Sequence, residues 1–231
     1  MSKNMLITGA NRGIGLALVT AYVTEGWNVI ACCRDPDKAD ALADLALEHP
    51  RLAIHALDVT DHDAISQLAD KLHDTSLDLI INNAGYYGPK GYGFGNTSAS
   101  EWRKAFEINV IAPLKVAEAF YPHLKTKQTG TIVSLSSKVG SMTENTSGGG
   151  YIYRSTKAAL NSVMKSLSND LLSEGIICVA LHPGWVKTEM GGDNAQITAD
   201  ESAAGLKKVI ENLTPEQSGG FFNYLGEALP W

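Results

Sequence analysis

Seven short, mostly apolar runs punctuate the chain: Met5 to Thr8, Asn28 to Cys33, Leu52 to Leu57, Leu77 to Ile81, Thr131 to Leu135, Ile176 to Leu181 and Gly220 to Tyr224. Between them lie longer stretches with apolar positions at helical spacing: Leu16 to Glu25, Asp37 to Glu48, Asp61 to His73, Ser98 to Leu124, Lys157 to Leu172 and Ala199 to Asn212. The short runs have the length of strands and the longer ones the period of helices. Their alternation predicts a parallel sheet of about seven strands covered on both faces, a three-layer, doubly wound α/β architecture. No linker or internal repeat divides the chain, so one domain over residues 1–231 is expected.

The chemistry gathers at the strand ends. The first strand runs into Gly9-Ala10-Asn11-Arg12-Gly13-Ile14-Gly15 and then a helix. Strand, glycine-rich turn and helix form the first half of a dinucleotide site: glycines let the backbone approach a pyrophosphate, and helix amides face its charge. The residue ending the second strand then meets the adenosine ribose. An acid there accepts the 2′-hydroxyl of NAD, whereas arginine suits the 2′-phosphate of NADP. The chain offers both, in Arg34-Asp35, with Arg12 in the glycine loop beside the same pocket. Two guanidiniums suit a phosphate dianion, so NADP(H) is expected ahead of NAD(H), unless Arg34 merely pairs with Asp35.

Asn82-Asn83-Ala84-Gly85 follows the fourth strand at the carboxyl edge, where open α/β sheets bind ligands. The glycine-rich, aromatic stretch from Tyr86 to Asn96 reads as a loop bordering the site. In the helix expected over 98–124, Asn109 shares the apolar face and needs a bonding partner. Pro113 clashes with the carbonyl of that residue, so a kink is predicted there, with a freed carbonyl able to hold a water toward Lys157. Ser136-Ser137 ends the fifth strand, and Ser141 to Gly150 reads as a flexible loop. Tyr153 and Lys157, four residues apart, share one helical face, so the ammonium is expected beside the phenol, lowering its pKa and making it a candidate general acid. His182 reads as structural, and Gly191 to Ala195 as a loose lid.

Composition adds exclusions. With 44% hydrophobic and 19% charged residues the chain is an ordinary globule, and a net charge of −6 without a basic run argues against nucleic acid and anionic membranes. Three cysteines, Cys32, Cys33 and Cys178, lie in apolar stretches and read as reduced thiols; no spacing suits a metal. No stretch near the start is long and apolar enough for a signal sequence or membrane span, so a cytoplasmic location is expected.

Taken in order, Thr8-Gly9-x-x-x-Gly13-x-Gly15, Asn82-Asn83-Ala84-Gly85, Asn109, Ser136-Ser137, Tyr153-x-x-x-Lys157 and Pro183-Gly184 resemble the short-chain dehydrogenase/reductase family over essentially the whole chain. His182 to Gly192 and the closing Leu229-Pro230-Trp231 look like its C-factor and Sniffer-type carbonyl reductase branch. The resemblance implies a Rossmann-type fold and reduction of an aldehyde, ketone or quinone by NADPH. It implies a catalytic set of Asn109, Ser137, Tyr153 and Lys157, with Ser136 the alternative serine. Gly9, Asn11, Arg12, Gly13, Ile14, Gly15 and Arg34 are implied to bind the cofactor, with Asp58 and Val59 at the adenine and Asn82 at the adenosine ribose. Ala84, Gly85, Tyr153, Lys157, Pro183, Gly184 and Val186 complete that set, with Thr188 at the nicotinamide amide. Tyr86, Tyr87, Trp185 and Met190 point to an apolar or aromatic-tolerant substrate pocket, though each also suits the core. The helices over 98–124 and 153–173 resemble those that pair in family dimers and tetramers, so a homodimer or homotetramer is expected. The alternative reading is a dinucleotide-binding signalling protein with little or no turnover.

Overall fold

The computed structural model describes residues 2–125 and 130–231. One sheet contains β1 (Asn4–Thr8), β2 (Asn28–Cys33), β3 (Leu52–Ala56), β4 (Leu79–Asn82), β5 (Thr131–Leu135), β6 (Ile177–His182) and β7 (Phe221–Asn223). Its order is β3-β2-β1-β4-β5-β6-β7, and every neighbouring pair is parallel. The helices are α1 (Gly13–Thr24), α2 (Asp40–Glu48), α3 (His62–Lys71), α4 (Ala99–Phe106), α5 (Ala112–Lys125), α6 (Tyr151–Leu171) and α7 (Ala199–Glu211).

β1 illustrates why the strands read as unbroken apolar runs. Met5 and Ile7 join a core with α1, α2 and α7, while Leu6 joins a second core with α3, α5 and α6. A strand's side chains alternate between faces, and both faces here are covered, so each residue must be apolar. Cys32, Cys33 and Cys178 are buried free thiols within these strands. The strand order reverses between β1 and β4, which opens a crevice outside their carboxyl ends. No helix among the described residues is long and apolar enough to cross a membrane.

Several bounds differ from expectation, among them α1, which begins at Gly13 rather than Leu16, and β4, which begins at Leu79 rather than Leu77; three further differences have a visible cause. The stretch expected as one kinked helix over 98–124 is two helices joined by a π-helical turn, Glu107–Ile111. Pro113 cannot donate to the carbonyl four residues back, and just before it the amide of Ala112 reaches the carbonyl of Glu107, five back. The helix expected from Asp37 starts only at Asp40, after a 3₁₀ turn over Pro36–Lys38. The helix expected from Lys157 begins at Tyr151. Gly148, Gly149 and Gly150, all at positive φ, turn the chain into it, and Tyr153 and Lys157 lie within its first two turns. Asp61 caps α3 as expected, accepting from the amide of Ala64 at 2.9 Å.

Candidate active site

The glycine loop is seated on the turn after β4. Thr8 Oγ1 accepts from the amides of Asn83 at 3.2 Å and Ala84 at 3.1 Å. Asn83 Nδ2 donates to the carbonyls of Thr8 at 2.9 Å and Gly9 at 2.8 Å. A Cβ on Gly9 would lie 2.8 Å from Ala84 Cα, and one on Gly15 would lie 2.2 Å from the Gly9 carbonyl oxygen, so only glycine allows this approach. The first turn of α1 has neither a side-chain cap nor an acidic residue. Its amides are therefore open to an anion, which fits a dinucleotide pyrophosphate. Asn11 and Ile14 are half-buried in the same loop.

Asn83 carries no assigned role in the sequence reading; its place in the turn Asn82-Asn83-Ala84-Gly85 after β4 is the one signal of it. Asn83→Ala removes two bonds that hold the loop. The expected result is about tenfold weaker dinucleotide affinity by fluorescence titration, from two hydrogen bonds of roughly 1 kcal/mol each partly replaced by water.

At the adenosine end, Asp35 pairs with Lys38 at 2.5 Å rather than with Arg34. Arg34 is exposed and without a partner among the described residues. Arg12 forms an exposed ion pair with Glu189, across the crevice. Asp58 Oδ1 accepts from the amide of Thr60 at 2.9 Å and its hydroxyl at 2.8 Å, and Val59 is buried beside it. Asn82, expected at the ribose, turns its side chain away from the crevice. Its side chain is buried and donates to the Pro113 carbonyl and to Ser134 Oγ, both at 3.3 Å. The pleat of β4 puts it on the same face as Ile80, toward α5, leaving only its main chain to the crevice.

Ser137 and Tyr153 face one another: the serine hydroxyl lies close enough to the phenol to lower its pKa. Ser136, the alternative, is buried and donates to Asn161 Oδ1 at 2.5 Å. Lys157 is buried, and its ammonium donates to the Leu135 carbonyl at 2.7 Å, 5.6 Å from the centre of the Tyr153 ring. The expectation that Lys157 lowers the phenol pKa is not met by the protein alone. Burial pushes Tyr153 up, nearby Tyr87 adds to this, and the nearby Ser137 hydroxyl works against both. Burial likewise pulls the Lys157 ammonium down to about 8.

Asn109 finds the partners its burial demands. Its Oδ1 accepts from the amide of Tyr86 at 2.8 Å, while Nδ2 donates to the Tyr86 carbonyl at 2.7 Å and to Thr156 Oγ1 at 3.0 Å. A Cβ on Gly85 would lie 3.6 Å from Asn109 Oδ1 and 4.0 Å from Lys157 Nζ, so this glycine separates the two.

The rim comes from two segments, the loop after β4 and the stretch after β6. Tyr87 lies against Tyr153, ring centres 4.8 Å apart. Tyr86 turns to α4 instead, its hydroxyl donating to Glu101 at 2.6 Å with Lys104 over its ring. Trp185 and Met190 are exposed on the segment after β6, where Pro183 and Gly184 begin. Val186 is buried and bridges to Ile197; Thr188 meets the glycine loop, its Cγ2 3.1 Å from where Gly13 would carry a Cβ. Gly191 to Ala195, expected as a loose lid, is folded onto its own base. Trp185 Nε1 donates to the Gly191 carbonyl at 2.9 Å, the Gly192 amide to the Thr188 carbonyl at 2.8 Å, and Ala195 is buried. His182 Nδ1 is buried without a partner among the described residues, and burial, then Lys138, pull its pKa down to about 4, which keeps it neutral.

Comparison with known proteins agrees with this geometry. Residues 3–199 match the family model described as short chain dehydrogenase. C-signal of Myxococcus xanthus is 43% identical over 155 residues, covering 67% of this chain and 93% of that protein. The carbonyl reductase Sniffer of D. melanogaster superposes with a TM-score of 0.94 at 35% identity, covering 100% of both chains. The NADPH-bound carbonyl reductase from chicken fatty liver superposes with a TM-score of 0.93 at 38% identity, covering 100% of this chain and 99% of that one.

Proposed function

Because the chain belongs to the short-chain dehydrogenase family, we propose that it is an NADPH-dependent reductase converting a small-molecule aldehyde, ketone or quinone to its alcohol. The observation that carries this reading is the convergence of Ser137, Tyr153 and Lys157 at the crevice, with the serine hydroxyl near the phenol and Lys157 Nζ 5.6 Å from the centre of its ring. A carbonyl oxygen received there meets a hydroxyl that holds it and a phenol that protonates it. A tyrosine is protonated at neutral pH and burial raises Tyr153 further, which suits a proton donor in the reductive direction. Lys157 would hold the nicotinamide ribose, Thr188 the nicotinamide amide, and the open amides of α1 the pyrophosphate. The reduced nicotinamide, when bound, supplies hydride to the carbonyl carbon. Asn109 fixes the main chain at Tyr86, and a water on its carbonyl passes a replacement proton toward Lys157.

The deciding assay is oxidation of NADPH and of NADH by the purified protein against aldehydes, ketones and quinones. Turnover with NADPH supports the reading; coenzyme binding with no turnover on any carbonyl removes it. The coenzyme preference rests on Arg12 and Arg34. Each charged hydrogen bond to the 2′-phosphate contributes roughly 1.5–3 kcal/mol, so Arg34→Ala is expected to shift the NADPH:NADH ratio of kcat/KM about 10- to 100-fold toward NADH. A ratio that does not move assigns the adenosine pocket differently.

The similarity to C-signal favours one other reading, a dinucleotide-binding protein whose bound form is read by a partner. A Tyr153→Phe protein that still performs the biological role would favour it.

A further inference from the structure

The closing Leu229-Pro230-Trp231 segment has no part in the chemistry above, yet it is tied to the loop that carries Ser137. After β7 the chain turns back at Gly226, and the amide of Leu229 donates to the Phe221 carbonyl at 2.8 Å. This lays the Trp231 ring on Phe221, centres 5.5 Å apart and planes within 21°. Phe221 is itself buried in the core. The main-chain oxygen of Trp231 then accepts three hydrogen bonds from the loop: Ser141 Oγ at 3.2 Å, Thr143 Oγ1 at 3.1 Å and the Thr143 amide at 3.3 Å.

The clasped residues are the root of the segment expected to be flexible, and their position is coupled to the active site. The Gly140 amide donates to the Ser137 carbonyl at 2.8 Å, and a Cβ on Gly140 would lie 2.8 Å from the Lys157 carbonyl carbon. The loop root is thus pressed between Ser137 and the backbone of Lys157. Farther along, Arg154 donates to the Val139 carbonyl at 3.3 Å and to Ser147 Oγ at 3.0 Å, and Lys138 pairs with Glu144 at 2.9 Å. Those braces tie the loop only to itself and to the start of α6. The Trp231 oxygen ties it to the edge of the sheet.

We infer that Trp231 is a positioning residue, a clasp that seats the 138–150 loop and thereby holds Ser137 where a carbonyl oxygen must bind. The mechanism is ordinary: a polar, glycine-rich loop samples many conformations unless external bonds select one, and an aromatic ring stacked on a core residue anchors the acceptor of those bonds. The kinetic consequence rests on the reductase reading; the structural one does not.

The test compares wild type, a chain ending at Pro230, Trp231→Phe, and the double variant Ser141→Ala, Thr143→Val, which removes two loop donors and leaves Trp231 untouched. Hydrogen exchange reads the clasp directly, since the Thr143 amide is one of its donors. Exchange at residues 141–150 is expected to accelerate about tenfold or more in the shortened chain and the double variant, with the interior of α6 unchanged. In turnover, kcat/KM for the carbonyl is expected to fall about tenfold with the KM for the dinucleotide unaltered, and Trp231→Phe to restore both. Unchanged loop exchange overturns the clasp. Faster exchange with unchanged kcat/KM overturns its positioning role, and faster exchange spread through α6 and β7 with a raised dinucleotide KM reduces it to fold stability. If wild type itself turns over no carbonyl, the exchange result still decides the clasp, and the failure belongs to the reductase reading.

Discussion

Tyr153→Phe is expected to lower kcat for carbonyl reduction about 10²- to 10⁴-fold, the usual worth of a positioned general acid. Dinucleotide affinity should stay within about twofold, because the change removes an interaction made chiefly in the transition state. The phenyl ring keeps its place: it lies against Tyr87 with ring centres 4.8 Å apart, and only the hydroxyl facing Ser137 is lost. Stopped-flow NADPH oxidation beside a direct binding titration separates the two quantities. A variant retaining more than about a tenth of wild-type kcat would take Tyr153 out of the acid role.

Lys157→Met is expected to lose turnover and, at the same time, to change how stability depends on pH. The Lys157 ammonium is buried and held to the Leu135 carbonyl by one bond of 2.7 Å, and burial takes its pKa from the ordinary 10.5 down to about 8. Below pH 8 the group is charged in the folded and unfolded chain alike, and the full cost of burying it weighs on the fold. Between 8 and 10.5 the unfolded chain binds more protons than the folded one, so the wild type gains stability as pH rises. Across that window the gain is on the order of 3 kcal/mol, and the methionine variant lacks it. Urea unfolding of both proteins at pH 7.5 and pH 10.5 measures this. The wild type should gain on the variant as pH rises; a constant difference would mean that the ammonium is better satisfied than its single bond implies. Such a residue opposes stability and is kept for the site it serves.

Much of the molecule was legible without coordinates. β2 and β5 fall on the residues their apolar runs predicted, because a strand buried on both faces must be apolar throughout and its ends are marked by polar residues. The glycine loop was legible because Gly9, Gly13 and Gly15 answer to local backbone geometry. The Tyr153 and Lys157 pairing was legible because the period of a helix sets which residues share a face. The boundaries that moved did so where two local preferences competed. Pro113 was read as a kink, yet the chain accommodates it by an extra residue in the turn at Glu107–Ile111.

What the sequence by itself determined, then, is the order of layers, the crevice and which segments border it, since all of these follow from periodicity and short-range backbone rules. Tertiary structure decided how each polar group is spent. Ser137 rather than Ser136 faces Tyr153 because Asn161, on another element, claims Ser136. Asn82 turns inward to Pro113 and Ser134 while its neighbour Asn83 holds the glycine loop. Lys157 reaches Leu135, and burial drives it and Tyr153 toward their neutral forms. The physical reason is common to all three. A side chain's partner and its protonation depend on what distant segments bring within about 3 Å and on how much water they exclude, and neither quantity is written in local spacing.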